Sequence, residues 1–354
     1  MGEYNNFIES LNDELTLYNH NYVFNIPKVT VIIPAFNVED YIYDCLISLV
    51  KQTLKEIEII IINDGSTDNT FSIISTFAQY DKRIKIVNQS NQKSGAARNK
   101  AIKLAKGEYI TFVDSDDTIE LTTLETFYNT AKSNGNDIVI CGAYTIKYGK
   151  FKKGYYSIEK IPKKLKNKNL NSKTIKENIL TLPPIAWAKL YKTKFLTENR
   201  ILFQEGCNGE DQIFFIETVL LANKIYIIDK NYYYYRKDRP TSLTHSKQKN
   251  DNSVILNFYE IEKFLQKQNI AQELNFKILN KYFIKSASWL GKCSKQYKEI
   301  YFNEFKNLQL HLRNIYPKYY WGKLNLKEND SYLIIKIKIF TTQLLLNRGM
   351  NNAK

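Results

Sequence analysis

The sequence predicts an α/β domain with a mainly parallel sheet flanked by helices, followed by a helical C-terminal region. Between residues 29 and 141, short runs rich in Val and Ile alternate with segments of helical periodicity. Several of these apolar runs end abruptly in polar or acidic residues, and beyond about residue 250 the pattern is helical only. Strands that are buried on both faces and alternate with helices are typical of α/β proteins.

Strands and helices are expected in alternation. The strands are predicted where β-branched apolar runs occur, at residues 29–33, 57–62, 84–87, 109–113 and 137–141. The helices are predicted where apolar residues recur every three or four positions, at residues 40–52, 68–80, 94–106 and 122–134. Because ligands of parallel sheets bind beyond the C-terminal ends of the strands, we expect the functional site there.

The chain divides into three predicted parts. Residues 1–28 are expected to form an N-terminal helical extension, because Ile8, Leu11, Leu15 and Tyr18 fall at helical spacing. Residues 29–245 form the main α/β domain, and residues 246–354 the helical region. Within the main domain, the Lys- and Asn-rich segment 147–177 is interpreted as a mobile or surface segment.

Charge and cysteine usage limit the possible surroundings. The chain has 51 Lys and Arg against 36 Asp and Glu, a net charge of +15. This excess favours nucleic acid, anionic lipid or phosphorylated substrates without choosing between them, and a merely Lys-rich composition is the alternative. Four widely spaced cysteines match neither zinc spacing nor a disulfide framework. With no leader pattern and no run of roughly 18 apolar residues, a cytoplasmic protein is expected.

The acidic cluster after the fourth strand is the sharpest chemical signal. The apolar run 110–113 ends in Asp114, Ser115, Asp116 and Asp117. Crowded carboxylates repel one another unless a cation compensates them, and Mg²⁺ or Mn²⁺ prefers such oxygen ligands and shares them with substrate phosphates. The pattern indicates a metal–phosphate site, and a solvated strand-to-loop turn is the alternative.

Three other segments suggest a phosphate-bearing ligand. Asp64 follows the second strand and could accept hydrogen bonds from a ribose or base, although an ordinary Asx turn explains it as well. The small residues 95–97 open a helix whose amides suit phosphate, with Arg98 as an added donor or as a plain surface residue. Asp211 precedes an apolar helix and could serve as a general base or as a helix cap.

Taken together, five segments resemble the family 2 glycosyltransferases of GT-A fold, over about residues 29 to 245. They are VTVIIPAFN at 29–37, INDGSTDNT at 62–70, NQKSGAARN at 91–99, FVDSDD at 112–117 and NGEDQIFF at 208–215. The similarity is greatest to bacterial enzymes that build capsule, lipooligosaccharide or other surface glycans. These enzymes use a nucleotide-activated sugar and invert its anomeric centre.

The resemblance implies a role for individual residues. Pro34, Ala35 and Phe36 would line the nucleotide pocket, with Asn37 and Glu39 nearby. Asp64 would contact the uracil or ribose, and Asn91 and Arg98 the base and diphosphate. Asp114 and Ser115 would face the donor, and Asp116 would bind Mn²⁺ or Mg²⁺. Asp211 would be the catalytic base with Glu210 beside it, and His245 or Arg239 would approach the metal or diphosphate.

The expected function is transfer of a sugar from a nucleotide sugar, by resemblance a UDP-sugar, to a hydroxyl of a glycan or lipid-linked acceptor. A nucleotidyltransferase is a weaker alternative, because residues 29–37 contain no glycine for a phosphate loop. A basic module that binds glycan or nucleic acid is a second alternative. If the chain is a glycosyltransferase, nucleic acid is not expected as a partner. Trp187 could stack on a sugar or belong to the core. The segment around residues 334–340 could contact an anionic membrane surface or pack on the catalytic domain.

Overall fold

The computed structural model describes residues 26–239, 251–268 and 270–316, together with residues 324, 326, 327, 334, 335 and 338. The helix predicted near residues 8–18, His245 and most of the apolar segment around 334–340 lie outside the described residues. The chain divides into two compact units, Met1–Arg239 and Pro240–Lys354.

The first unit alternates strands and helices. Its strands are β1 Val29–Ala35, β2 Ile57–Asn63, β3 Ile84–Asn88, β4 Tyr109–Phe112, β5 Thr118–Ile119, β6 Ile138–Lys147, β7 Lys150–Lys152, β8 Asn169–Asn171, β9 Lys189–Lys192 and β10 Lys224–Arg236. Its helices are α1 Ile42–Val50, α2 Thr70–Tyr80, α3 Lys93–Leu104, α4 Thr123–Asn134, α5 Ser172–Asn178, α6 Thr193–Glu198 and α7 Asp211–Leu221. Every predicted strand and helix of residues 29–141 is therefore present.

These strands form one mixed sheet in the order β3-β2-β1-β4-β9-β6-β10-β5, with β7 on β6 and β8 on β10. The block β3-β2-β1-β4 is parallel, as is the pair β6 and β10. The strand β9 runs antiparallel between β4 and β6, and sequence reasoning did not anticipate it. The parallel block brings the C-terminal ends of β1, β2 and β4 to one edge.

The two central strands of the parallel block, β1 and β2, are rich in buried branched aliphatic residues. Every residue of β2 is buried, and Ile59 to Ile62 are at most 1% exposed. Burial on both faces explains why β2 is a continuous apolar run rather than an alternating one. The predicted α/β architecture is confirmed.

Segment 147–177 is more ordered than a mobile surface segment. Its apolar side chains Ile158, Leu165, Leu170 and Ile175 are at most 4% exposed. The backbone N–H of Ile158 donates to Oδ1 of Asn231 at 2.8 Å. The segment therefore packs on the sheet through its apolar residues while most of its lysines stay exposed. This packing argues against the interpretation as a mobile segment and agrees with the interpretation as a surface segment.

The described part of the second unit is helical, as predicted, with α8 Ser253–Lys267, α9 Gln272–Leu290 and α10 Lys298–Ile315. Two of these helices bury an apolar face, which includes Phe258 and Ile261 on α8 and Phe283 and Leu290 on α9. Across the described part of the chain, no helix combines the length and the apolar character needed to cross a membrane.

Gly107 offers a test of the packing between α3 and the start of β1. A Cβ atom on this residue would lie 2.5 Å from the backbone N of Thr30 and 2.8 Å from the carbonyl carbon of Val29. We expect Gly107→Ala to lower the free energy of unfolding by about 1–3 kcal/mol, because backbone must move to admit the methyl group. Urea denaturation measures this change. The control is Lys103→Ala, at an exposed position of α3. Equal stability of the two variants would contradict the packing argument.

Candidate active site

Three strand ends meet at the C-terminal edge of the parallel block. The backbone N–H of Asp64, after β2, donates to the carbonyl of Ala35 at the end of β1, at 2.8 Å. The N–H of Val113, after β4, donates to the carbonyl of Ile32 at 3.0 Å. The structure therefore brings together the polar segments that the sequence placed at separate strand ends.

Asp64 organises the loop before α3. Its side chain is 3% exposed, and Oδ1 accepts hydrogen bonds from Nε2 of Gln89 at 2.7 Å and from the N–H of Gln92 at 2.9 Å. Gly65 has φ +78°, and a Cβ there would lie 3.0 Å from the N of Asn91. The turn after β2 thus fixes the exposed Asn91 close to Asp64.

The loop after β1 is fastened to the loop after β2. Oδ1 of Asn37 accepts from the N–H of Thr67 at 2.9 Å, and Oε2 of Glu39 accepts from the N–H and Nδ2 of Asn69 at 2.9 and 2.8 Å. Through these bonds, Glu39 stabilises the start of α2. Among the predicted pocket residues, Pro34 is half-buried, Ala35 is buried and Phe36 is 42% exposed.

The acidic cluster separates into outward and inward carboxylates. The side chains of Asp114 and Asp116 are 27% and 18% exposed, whereas Asp117 is 1% exposed. Asp117 accepts from the hydroxyl of Tyr233 at 2.8 Å and from the N–H of Arg236 at 2.7 Å. Burial, with Asp116 and Asp114 adding, raises the pKa of Asp117. Asp117 therefore supports the loop, and Asp114 and Asp116 can face a ligand; Ser115 between them is buried.

Arg98 of α3 joins the acidic cluster to the start of α7. Its side chain is 5% exposed, and Nη2 donates to Oδ1 of Asp114 at 2.7 Å. Nη1 donates to Oε1 of Glu210 at 2.6 Å and lies 3.5 Å from Oδ1 of Asp211. The resemblance implied a diphosphate partner for Arg98; here its guanidinium holds three carboxylates in one network.

Small and polar residues of α3 let the chain before α7 approach closely. A Cβ on Gly95 would lie 2.5 Å from the carbonyl oxygen of Gln204. Asn99 donates through Nδ2 to the carbonyl of Phe203 and accepts at Oδ1 from its N–H, both at 2.8 Å. The Ser94 hydroxyl also donates to Oε1 of Glu210. The small residues therefore allow segment 203–210 to pack closely on α3. This packing places Glu210 and Asp211 beside Arg98.

Asp211 is the first residue of α7. Burial raises the pKa of its carboxyl to about 7, with Glu210 and Asp114 adding and Arg98 and Lys189 opposing. Because a general base works best with a pKa near the working pH, this carboxylate is suited to accept a proton from a hydroxyl.

Sequence reasoning missed Lys189, which is fully buried on β9. Its Nζ donates to the carbonyls of Ile185 at 2.5 Å and Pro183 at 3.1 Å, and burial lowers its pKa to about 7 while Asp211 raises it. A lysine inside the apolar run 185–190 was the available signal. Trp187 in the same run is 3% exposed and stacks on Tyr233 and Tyr235, so it belongs to the core.

Arg236 and Arg239 both contact Asp116. Nη1 of Arg239 is 3.2 Å from Oδ2 of Asp116, and its Nη2 donates to the carbonyl of Asn37 at 3.1 Å. Nε of Arg236 donates to the backbone carbonyl of Asp116 at 3.1 Å. Arg239 thus lies in the neighbourhood that the resemblance implied.

The carboxylates fit a divalent cation that takes only part of its ligands from protein. Within the described residues, no group of three or more His, Cys, Asp or Glu could hold a metal ion. Mg²⁺-type sites commonly use one or two carboxylates and complete their shell with water and substrate phosphates. Burial raises the pKa of Asp114, although Arg98 opposes this and Asp116 adds to it. Asp114 pairs with Arg98 and Asp116 with Arg239, so a bound cation would share these carboxylates with the two arginines. Asp114 and Asp116 match such a site, and Asp117 does not.

Comparisons with known proteins identify the family of the chain. The family model described as glycosyl transferase family 2 matches residues 30–183. The chain is 35% identical over 216 residues to glycosyltransferase GlyA of Streptococcus pneumoniae, covering 59% of this chain but only 30% of that relative. It is 33% identical over 250 residues to the putative glycosyltransferase EpsH of Bacillus subtilis, covering 70% of this chain and 72% of the relative.

A solved structure gives the same fold. Residues 1–349 of S. aureus TarS in complex with UDP superpose with a TM-score of 0.65 at 22% identity, covering 92% of both chains. This likeness confirms the GT-A fold predicted from the sequence. With the family match and the shared length with EpsH, it follows that this chain belongs to glycosyl transferase family 2.

Proposed function

We propose that the first unit is an inverting glycosyltransferase that moves a sugar from a nucleotide sugar to an acceptor hydroxyl. The observation that carries the proposal is the Arg98 network, which joins a donor-side carboxylate, Asp114, to a candidate base, Asp211. UDP is the proposed nucleotide, since the TarS structure was solved with UDP. The proposed acceptor is a surface glycan or a lipid-linked glycan, and a lipid-linked acceptor would bring the protein to the inner face of the membrane.

The proposed reaction is a single displacement. Asp211 takes the proton of the acceptor hydroxyl while that oxygen forms a bond to C1 of the donor sugar. The bond between C1 and the diphosphate oxygen breaks on the opposite face, and the nucleoside diphosphate leaves with its electron pair. Attack and departure on opposite faces invert the anomeric centre, and general-base action contributes roughly 10²–10⁴-fold to the rate.

The surrounding residues are assigned by position. Asp64, Asn91 and Phe36 would bind the nucleoside at the edge formed by β1 and β2. Asp114 and Asp116 would hold Mn²⁺ or Mg²⁺, which offsets negative charge on a departing diphosphate when bound. Arg239, which lies beside Asp116, adds a second positive charge on that side. Glu210 keeps Arg98 oriented toward Asp211.

A panel of nucleotide sugars, with and without Mn²⁺, tests the overall proposal. We expect hydrolysis of a UDP-sugar in the absence of acceptor, stimulated by the metal, and release of UDP. Release of pyrophosphate from a nucleoside triphosphate and a sugar phosphate would instead identify a nucleotidyltransferase and overturn the proposal.

Replacing the proposed base separates chemistry from binding. We expect Asp211→Asn to lower kcat by at least about 10²-fold, because the amide cannot accept the proton. Calorimetric titration should show UDP affinity close to that of the wild type. The matched control is Asp229→Asn, an exposed carboxylate paired with Lys166, which should leave both quantities unchanged. Equal loss of UDP binding and turnover would argue against a base at position 211.

The raised pKa of Asp211 makes activity depend on pH near neutrality. The base works only when ionised, so kcat/KM should rise as pH increases and level off above a midpoint near the value of about 7. Steady-state rates between pH 5 and 9 measure the profile. A profile that is flat from pH 6 to 8 would show that this group does not limit the reaction.

Asp116 is expected to make donor binding depend on the metal. For the wild type, Mn²⁺ should tighten UDP binding. For Asp116→Asn, the UDP affinity should be the same with Mn²⁺ as with a chelator, because the cation has lost one charged ligand. Titrations of both proteins in the two conditions give the comparison, with Asp229→Asn again as the control. Undiminished metal stimulation in the variant would remove Asp116 from the metal site.

A further inference from the structure

The positive charge of the chain is concentrated in one stretch. Segment 147–177 contains eleven lysines and two glutamates, a net charge of +9, compared with +15 for the whole chain. Lys153 pairs with Glu159 at 2.6 Å, and Lys166 pairs with Asp229 at 2.9 Å. Lys160, Lys163 and Lys164 are exposed. We call these last three residues the lysine patch.

Lys160 of the lysine patch lines a cleft of about 260 Å³, and Lys163 and Lys164 follow it closely in the chain. The lining includes two tyrosines, one patch lysine and three apolar residues: Tyr155, Tyr156, Lys160, Ile161, Leu182 and Pro183. Tyr155 is 65% exposed, and its ring centroid lies 5.1 Å from that of Tyr156. The cleft therefore combines aromatic surface with an exposed lysine in its lining.

A chain of contacts through the core connects this cleft to the acidic cluster. The ring of Tyr156 meets Trp187 edge-on at 4.8 Å, and Trp187 stacks on Tyr233 at 4.6 Å. The hydroxyl of Tyr233 in turn donates to Asp117 in the acidic cluster. Burial raises the pKa of the Tyr156 hydroxyl, and Asp211 is among the groups that raise it further. Tyr156, which lines the cleft, is thus connected to the acidic cluster through two buried aromatic side chains.

We propose that this cleft and the lysine patch bind the acceptor, and that the acceptor is a phosphate-bearing carbohydrate chain. A sugar ring would lie against Tyr155 and Tyr156, and phosphate groups of neighbouring units would contact Lys160, Lys163 and Lys164. This inference rests on the proposed glycosyltransferase activity and names the acceptor class for it.

The form of the surface favours a glycan over two other polyanions. A membrane surface is flat and would use the exposed lysines without entering a concave cleft. A nucleic acid would also bind the lysines, but Tyr156 of the cleft is connected through Trp187 and Tyr233 to the acidic cluster, where the proposed sugar transfer takes place. A sugar phosphate chain uses both the rings and the lysines, and charge complementarity supplies long-range attraction.

Binding of a labelled phosphodiester-linked hexose oligomer to the full chain tests the proposal, measured by fluorescence anisotropy at low and physiological salt. We expect the triple variant Lys160→Glu, Lys163→Glu and Lys164→Glu to weaken binding at least about tenfold, with a smaller salt dependence. We expect Tyr155→Ala to weaken it about threefold or more, in the range of one lost aromatic contact. Both variants should bind UDP as the wild type does.

Two matched controls use residues away from the cleft. The triple variant Lys82→Glu, Lys103→Glu and Lys194→Glu makes the same change in net charge at three exposed lysines. Tyr148→Ala removes a tyrosine that is 77% exposed and lies outside the cleft lining. Both should bind the oligomer within about twofold of the wild type, because neither touches the proposed site.

Four outcomes would overturn the inference. The first is that the lysine-patch variant binds the oligomer as well as the wild type does, and the second is that the charge-matched control loses as much binding as that variant. The third is that Tyr155→Ala has no effect. The fourth is that phosphatidylglycerol vesicles or single-stranded DNA bind more tightly than the oligomer, in a way that depends on the patch. Failure of the wild type to bind UDP would refute the proposed function itself, whereas UDP binding with patch-independent oligomer binding would refute only this inference. Weaker binding of the same oligomer without phosphates would support it.

Discussion

The arrangement of the site depends on one buried cation. Arg98 is 4% exposed and is held by Asp114, Glu210 and Asp211, which come from the end of β4 and the start of α7. Burial alone would lower the pKa of Arg98, but the three carboxylates reverse this effect and keep the guanidinium charged. A buried charge is costly when unpaired, so the folded chain must bring these segments together. The same requirement positions the donor-side carboxylate opposite the proposed base.

This constraint also explains why α3 starts with small residues. Segment 203–210 can lie against α3 only because Gly95 leaves room for the carbonyl of Gln204, and Asn99 then satisfies both backbone groups of Phe203. A larger residue at position 95 would push Glu210 away from the guanidinium. Packing and electrostatics therefore serve the same placement. Burial is the main cause that raises the pKa of Asp211, Glu210 and Asp114 add to it, and Arg98 and Lys189 oppose it.

The charge of the molecule is distributed in two different ways. Around the proposed catalytic centre, acidic groups outnumber basic ones, which suits a cation and a diphosphate. In segment 147–177, lysines dominate and stay exposed while Ile158, Leu165 and Leu170 anchor the segment to the sheet. A long surface segment with a buried apolar underside can carry such charge because its anchoring does not depend on the lysines. Segment 147–177 therefore carries +9 against a net charge of +15 for the whole chain, and composition alone does not show this uneven distribution.

The sequence by itself determined the strands and helices of residues 29–141, because runs of β-branched residues and helical periodicity are local signals. It also placed Asp64 and Asp114 at strand ends that a parallel sheet must gather at one edge. Only the tertiary structure decided which carboxylates face outward, which partners Arg98 takes, and that Lys189 and β9 lie between β4 and β6. Arg98 and Glu210 are 112 positions apart in the chain. Contacts across such separations arise from packing and charge compensation in three dimensions, and no local pattern of residues encodes them.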